Sequence, residues 1–257
     1  MNEQTVARPA APRTAFGHVV RNEARLAWRQ PARMIVSIGI SLGLLVVFGE
    51  VSVFKQSSAN LGGLSAFDVY IPILIAFAIA IGVIALVYLP GPLVSYRELG
   101  ILRRLSTTPV PAAWLLGAQL VVQACLMVIS ILLLLIVSIV FFGASTPKNL
   151  GGLILAIGLA IASLFTIGLA IAALAKTSSA ARGIMAAAFY PLMFFAGLYY
   201  PVQVLPGVLQ DISHVTPLGA AVQAAMNVGF PPAEPLLVLA AYTLVFGYLA
   251  KRFFRWE

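Results

Sequence analysis

Long blocks of apolar residues are the feature that most limits how this chain can fold. Apolar stretches of about 20 residues recur along the sequence, and a helix of that length crosses the roughly 30 Å hydrocarbon core of a bilayer. The strict alternation typical of membrane β-barrels is absent. Only 9% of the 257 residues are charged, against about 25% in soluble domains. The sequence therefore predicts an all-α polytopic membrane protein.

Six such blocks predict six transmembrane helices. The polar, proline-containing residues 1–13 are expected to form a disordered cytoplasmic tail, followed by a single transmembrane domain over residues 14–257. In the first span, Gly39 and Gly43 form a small-xxx-small pair that would let another helix approach closely. The predicted spans cover residues 33–54, 67–95, 112–142, 150–175, 183–200 and 235–250.

The distribution of Lys and Arg predicts the orientation of the spans. Cytoplasmic loops of membrane proteins carry an excess of these residues. With both chain ends in the cytoplasm, only Lys55 and Lys148 lie outside. The other fourteen lie inside: Arg8, Arg13, Arg21, Arg25, Arg29, Arg33, Arg97, Arg103, Arg104, Lys176, Arg182, Lys251, Arg252 and Arg255. The net charge of +8 thus reflects membrane topology rather than nucleic-acid binding.

Residues 14–30 predict an amphipathic helix at the membrane interface. On a helical wheel, Arg21, Arg25 and Arg29 share one face with His18, and an apolar face lies opposite. Such a helix places its apolar side in lipid and its arginines near headgroups. The apolar face comprises Phe16, Val19, Val20 and Ala27.

Several kinds of catalytic or binding site are excluded by the sequence. The pattern G-x-x-x-x-G-K-[ST], whose backbone cradles nucleotide phosphates, does not occur. A hydrolytic triad, a zinc-helix motif and a carboxylate cluster are also missing. Cys125 is the only cysteine, so it has no disulfide partner within the chain, and its apolar surroundings predict a packed core residue. An enzyme acting alone, or one with a cofactor of its own, is not expected.

Residues 96–105 form the most informative polar segment. As a helix they would place Leu99, Ile101, Leu102 and Leu105 on one arc and the basic residues on another, with Glu98 inside the apolar arc. Two interpretations fit this pattern. The helix can lie on the membrane with its arginines at lipid phosphates, or it can dock onto a partner protein.

A family resemblance favours docking. Residues 97–110, RELGILRRLSTTPV, resemble the R-E-x-G-T-L-x-R-L-x-x-[ST]-P motif of type-2 ATP-binding-cassette (ABC) permeases, with exporters of the daunorubicin-resistance type as the nearest branch. Ile101 replaces the more usual threonine. The segment YPVQVLPGVLQ from Tyr200, followed by Thr216-Pro217-Leu218, is similar to the family's segment before its last span.

The resemblance implies a permease that pairs with a second permease, identical or related, and with two copies of a separate ATPase that carries ATP and Mg²⁺. Residues 14–30 would then be the elbow helix, with Arg21, Glu23, Arg25 and Arg29 as its candidate residues. Residues 96–105 would be the coupling helix in a cleft of the ATPase. Its candidate residues are Arg97, Glu98, Leu99, Gly100, Leu102, Arg103 and Arg104.

Residues 201–232 are predicted to lie on the outer side of the membrane, but they are too apolar for a solvated loop. They predict short helices that re-enter the bilayer, which is tolerated where such segments pack against protein. The family likewise has re-entrant outer helices. Asp211 and His214 are one turn apart, and a surface pair is favoured over a proton relay.

Four further residues are candidates for a substrate path. Gln119 and Gln123 lie four residues apart on one face of the third span, with Ser130 further along. Buried amides in a membrane mark either helix contacts or a polar path, and interhelical hydrogen bonds are the favoured interpretation. Tyr199 and Tyr200, at the end of the predicted fifth span, are weaker candidates.

The functional expectation is the membrane subunit of an ATP-driven exporter in the cell membrane. Its nearly uncharged spans suit hydrophobic or amphipathic cargo, such as lipids or drugs in multidrug efflux and antibiotic resistance. Export of a polysaccharide or glycolipid is an alternative. A proton-coupled secondary transporter would need ionisable residues near the midplane, whereas Glu50, Asp68 and Glu234 lie near span ends. A scaffold or sensor that moves no substrate is a further alternative.

Overall fold

All regular structure in the described part of the chain is helical. The computed structural model describes residues 12–29, 31, 35–51, 66–88, 112–146, 149–226 and 230–253. Predictions for most of the tail and for the coupling helix at 96–105 lie outside these residues. Helices suit apolar blocks because their backbone groups pair internally, without water.

Nine α-helices form within the described ranges. A π-helical turn, Ile35–Gly39, leads into α2, and a 3-10 turn, Val202–Val204, precedes α7. The α-helices are α1 (Pro12–Trp28), α2 (Ile40–Glu50), α3 (Ala66–Tyr88), α4 (Ala112–Phe142), α5 (Leu150–Leu174), α6 (Ser178–Phe195), α7 (Gly207–Val215), α8 (Pro217–Met226) and α9 (Ala233–Phe253).

Four of these helices are long and apolar enough to cross a membrane. The qualifying segments are Phe67–Ile84 in α3, Gly117–Phe142 in α4, all of α5 and all of α9. They correspond to the predicted second, third, fourth and sixth spans. The π-turn and α2 together form a shorter apolar helix in the predicted first span. The described residues thus support a multi-pass membrane protein.

Helix α6 differs from the prediction for the fifth span at both ends. It begins at Ser178, not at residue 183, because the Thr177 side chain accepts a hydrogen bond from the Ala180 N–H at 3.1 Å and caps the helix. It ends at Phe195, not at residue 200. There Gly197 adopts φ +87°, and the Leu198 N–H donates to the Met193 carbonyl at 3.2 Å. This arrangement is a Schellman motif.

Helix α3 lies at the centre of the fold. In its span 83% of the residues are buried, whereas the corresponding share is 33% in α4 and in α5 and 17% in α9. Ile73, Leu74 and Ile79 are almost completely buried, in two apolar clusters that reach α2, α4, α5, α6, α8 and α9. The outer helices therefore wrap around α3 and leave broad apolar faces exposed.

The two short helices α7 and α8 join the ends of the longer ones. The Ser213 hydroxyl on α7 donates to the Phe195 carbonyl at the end of α6 at 2.5 Å. Helix α8 packs against α3, α5 and α9, and Leu218 is fully buried. The predicted segment 201–232 is therefore helical over most of its length.

Candidate functional site

The candidate coupling residues lie between α3 and α4. Arg97, Glu98, Leu99, Gly100, Leu102, Arg103 and Arg104 fall outside the described residues, so their roles stay predictions. Helix α4 starts at Ala112, eight residues after Arg104. Residues 96–105 are therefore close to the start of α4 in the sequence.

The amphipathic helix α1 packs lengthwise on α4. Near its start, the Phe16 ring meets the Trp114 ring edge-to-face, with centroids 6.0 Å apart and an interplanar angle of 80°. Further along, Ala27 packs with Val122 and Leu126. The second contact lies closer to the C-terminal end of both helices than the first. Helices α1 and α4 therefore run parallel over about three turns. Position at lipid headgroups, the other part of the elbow prediction, stays a prediction.

One acidic residue lies within the contact between α1 and α4. Glu23 is 8% exposed, whereas Arg21, Arg25 and Arg29 are exposed on other sides of α1. The Nε2 of Gln119 on α4 donates to Oε2 of Glu23 at 3.4 Å. The candidate elbow residues are thus divided, with three arginines on the surface and Glu23 bonded to α4.

The buried amides of α4 lie on its interior face. Gln119 is 2% exposed, and Gln123 and Ser130 are fully buried. A Cβ built on Gly82 of α3 would come within 3.3 Å of the Gln123 amide nitrogen and into contact with Met127. The missing side chain at Gly82 therefore lets α4 approach α3 closely at Gln123. Gln119 makes an interhelical bond of the kind expected, and a path-lining role for either residue stays a prediction.

The two candidate tyrosines lie in different surroundings. Tyr199 is 51% exposed and Tyr200 is 63% exposed, in the bend between α6 and the 3-10 turn. Gln119 and Gln123, by contrast, are buried between helices. The structure thus does not give these four residues a common environment.

An apolar cavity lies between α3, α5 and α8. Its lining includes Ile75 and Ile79 of α3, Ala156 and Ala160 of α5, and Ala221 of α8. In the span that begins at Phe67, Ile79 lies twelve residues along the helix, about 18 Å from its start. Helix α8 therefore packs against the central part of α3.

Two further predictions have clear outcomes. Cys125 is exposed, so the prediction of a packed core residue is wrong. One face of α4 is buried against the other helices and the opposite face is exposed. Cys125 lies on the exposed face. Among the described residues, no hydrogen bond or ion pair joins Asp211, which is exposed, to His214.

The comparisons with known proteins identify the family. The model of the family described as ABC-2 type transporter matches residues 14–230, which run from α1 to a point just before α9. No curated protein matches the chain. Members of the family are transporter membrane components that normally pair with an ATPase subunit. With its match over most of the sequence and its four membrane-length helices, the chain belongs to the ABC-2 type transporter family as a membrane subunit.

Proposed function

We propose that this chain is the permease of an ATP-driven exporter of the daunorubicin-resistance type, which moves hydrophobic or amphipathic molecules out of the cytoplasm or the inner leaflet. The observation that carries this proposal is the family match over residues 14–230. The sequence has no phosphate-binding loop of its own. ATP and Mg²⁺ are therefore bound by a separate ATPase chain.

The proposed topology has six crossings with both ends in the cytoplasm. The segment from Ile35 to Glu50 and helix α6 supply the first and fifth crossings beside the four long helices. Helices α7 and α8 form a re-entrant outer hairpin. Ala221 lines the same apolar cavity as Ile75 and Ile79, which supports this, because those α3 residues lie well inside a membrane-length helix.

Work enters through the coupling helix at residues 96–105. Leu99 and Leu102 are its apolar anchors in a cleft of the ATPase, and Arg103 and Arg104 meet acidic groups there. Closure of the ATPase pushes on this segment, and α4 is the next helix along the chain. The described start of α4, with α1 packed against it, supports a route from the ATPase into the membrane.

Two permeases enclose the path. Gly39 and Gly43 are exposed, and a Cβ on Gly43 would have no neighbour within 4 Å, so a helix of a second permease has room to approach closely. Helix α3 is mostly buried inside its own chain. The family resemblance implies a path between the first, second and fifth spans of the two permeases, and of the first two spans the first is better placed to meet the partner.

The cargo is apolar or amphipathic because the described spans carry few charges. Glu50 lies at the end of α2, and Asp68 near the start of α3 accepts a hydrogen bond from the Ser145 N–H at 3.1 Å. These positions disfavour a midplane proton relay. The exposed rings of Tyr199 and Tyr200 favour a second candidate, a polysaccharide or glycolipid exporter, because aromatic rings stack on sugars.

Purification from the native membrane tests the proposal. We expect an ATPase chain to copurify, and we expect its hydrolysis to depend on the permease and to rise with a hydrophobic drug or lipid. Uptake into inverted vesicles should need ATP. Stimulation by a glycolipid alone would support the second candidate. Transport by the purified chain without any ATPase would contradict both.

A further inference from the structure

Glu23 occupies an unusual place for a carboxylate. It lies on the same stripe of α1 as Phe16, Val20 and Ala27, at positions i, i+4, i+7 and i+11, which form one helix face. That face is the one packed on α4. A leucine there would complete an ordinary apolar contact, so a buried acid at this position calls for a polar partner.

Gln119 is that partner on the described part of α4. Its Nε2 donates to Glu23 Oε2, and only 2% of the residue is exposed. In surroundings with little water such a bond is stronger than on a surface, and removing either side chain takes this buried bond away from the other. Because a hydrogen bond is directional, this one favours a particular register of α1 on α4, in addition to the apolar packing.

We propose that Glu23 and Gln119 clamp the amphipathic helix to the third span, so that α1 and the first half of α4 move as one rigid unit when the coupling helix moves. This inference rests on the proposed function, because it assigns the clamp a role in ATP-driven transport. Glu23 is a positioning residue. It keeps a displacement at residues 96–105 from being lost as sliding between α1 and α4.

Two single variants, their combination and one control test the clamp in the complete transporter. Glu23→Leu and Gln119→Leu keep side-chain bulk and remove the polar contact. Asn22→Ala is the matched control, because Asn22 is exposed on the same helix. We expect Glu23→Leu to raise the ATP hydrolysed per molecule transported by about fivefold or more, the lower end of typical coupling between sites. The double variant should match the single ones, because residues that share one bond are not additive.

A cross-link separates coupling from mere folding. In a Cys125→Ser background, Ala27→Cys and Val122→Cys place thiols in the cluster that joins α1 to α4, and a short bifunctional maleimide joins them. We expect the cross-linked chain to transport normally. In the Glu23→Leu variant, we expect the same cross-link to restore the normal ratio of hydrolysis to transport. A residue needed only for folding would not be rescued after assembly.

Three results would overturn the clamp. These are an unchanged hydrolysis ratio in Glu23→Leu, loss of transport on cross-linking the otherwise unaltered chain, and an equal cross-linking rate with and without Glu23 in membranes that lack nucleotide. The last measurement needs no ATPase. Failure to find an ATPase partner would therefore contradict the proposed function, while the cross-linking rate would still decide whether Glu23 holds α1 on α4.

Discussion

The Phe142 ring packs directly over the backbone of Gly49. A Cβ built on Gly49 would lie 2.5 Å from the ring's Cδ1 and Cε1 atoms, closer than carbon atoms approach without repulsion. The same ring meets Phe67 with centroids 5.4 Å apart. Gly49 therefore lets the ends of α2, α3 and α4 converge at one aromatic contact.

Substituting Gly49 should destabilise the fold. Gly49→Ala forces the Phe142 ring away from Phe67, and we expect a cost of about 1 to 3 kcal/mol, as for other overpacked sites. Thermal unfolding in detergent, followed by size-exclusion chromatography, measures it. Gly158→Ala is the control, because nothing lies within 4 Å of a Cβ there. Equal melting temperatures for both variants would contradict the prediction.

Gly219 should tolerate substitution even less. A Cβ at this position would lie 2.8 Å from the carbonyl carbon of Ser213 and still nearer to its oxygen. Because backbone atoms cannot rotate away, Gly219→Ala must separate α7 from α8. We expect a loss of about 3 kcal/mol or more and a low yield of folded protein. Gly207→Ala, at an open position on α7, should express normally.

The long helices were predictable because composition alone sets them. Predicted bounds for the third span agree with α4, and those for the fourth agree with α5 to within one residue. Helix α6 was misplaced because single residues decide its ends. Thr177, which lies between the predicted fourth and fifth spans, caps the helix, and Gly197 inside the predicted fifth span terminates it.

The candidate site was predictable only in part. The apolar stripe of α1 carried the signal that Glu23 faces inward, since its spacing matches that of Phe16 and Ala27. Its partner on α4 could not be predicted, because helix pairing depends on packing between distant parts of the chain. Cys125 was misassigned for a similar reason. An apolar run in a membrane does not distinguish the face packed on protein from the face turned to lipid.

The amides of α4 should contribute to stability more than to cargo choice. Gln119→Ala together with Gln123→Ala removes two buried side chains, one of them bonded to Glu23. We expect lower thermal stability by about 1 to 3 kcal/mol for each buried hydrogen-bonding side chain removed. The ranking of transported drugs should stay unchanged. Stability assays and competition between drugs in vesicles measure the two effects.

If the Gln119→Ala, Gln123→Ala variant were stable but had altered drug selectivity, the prediction would be contradicted. Gln119 and Gln123 would then line the path. Tyr199→Ala with Tyr200→Ala provides the comparison, since these exposed rings should affect cargo without lowering stability.

Reversing the charge of Glu98 should separate hydrolysis from export. Glu98 is the one acid in the predicted coupling segment, whose other charged residues are Arg97, Arg103 and Arg104, so an arginine there makes every charge in the segment positive and adds repulsion among like charges. We expect Glu98→Arg to insert normally and to retain basal ATP hydrolysis, while drug-stimulated hydrolysis and export fall about tenfold or more. Asp211→Arg makes the same charge change on exposed α7 and should leave coupling intact. Normal drug-stimulated turnover in Glu98→Arg would show that ATPase motion enters the membrane by another route.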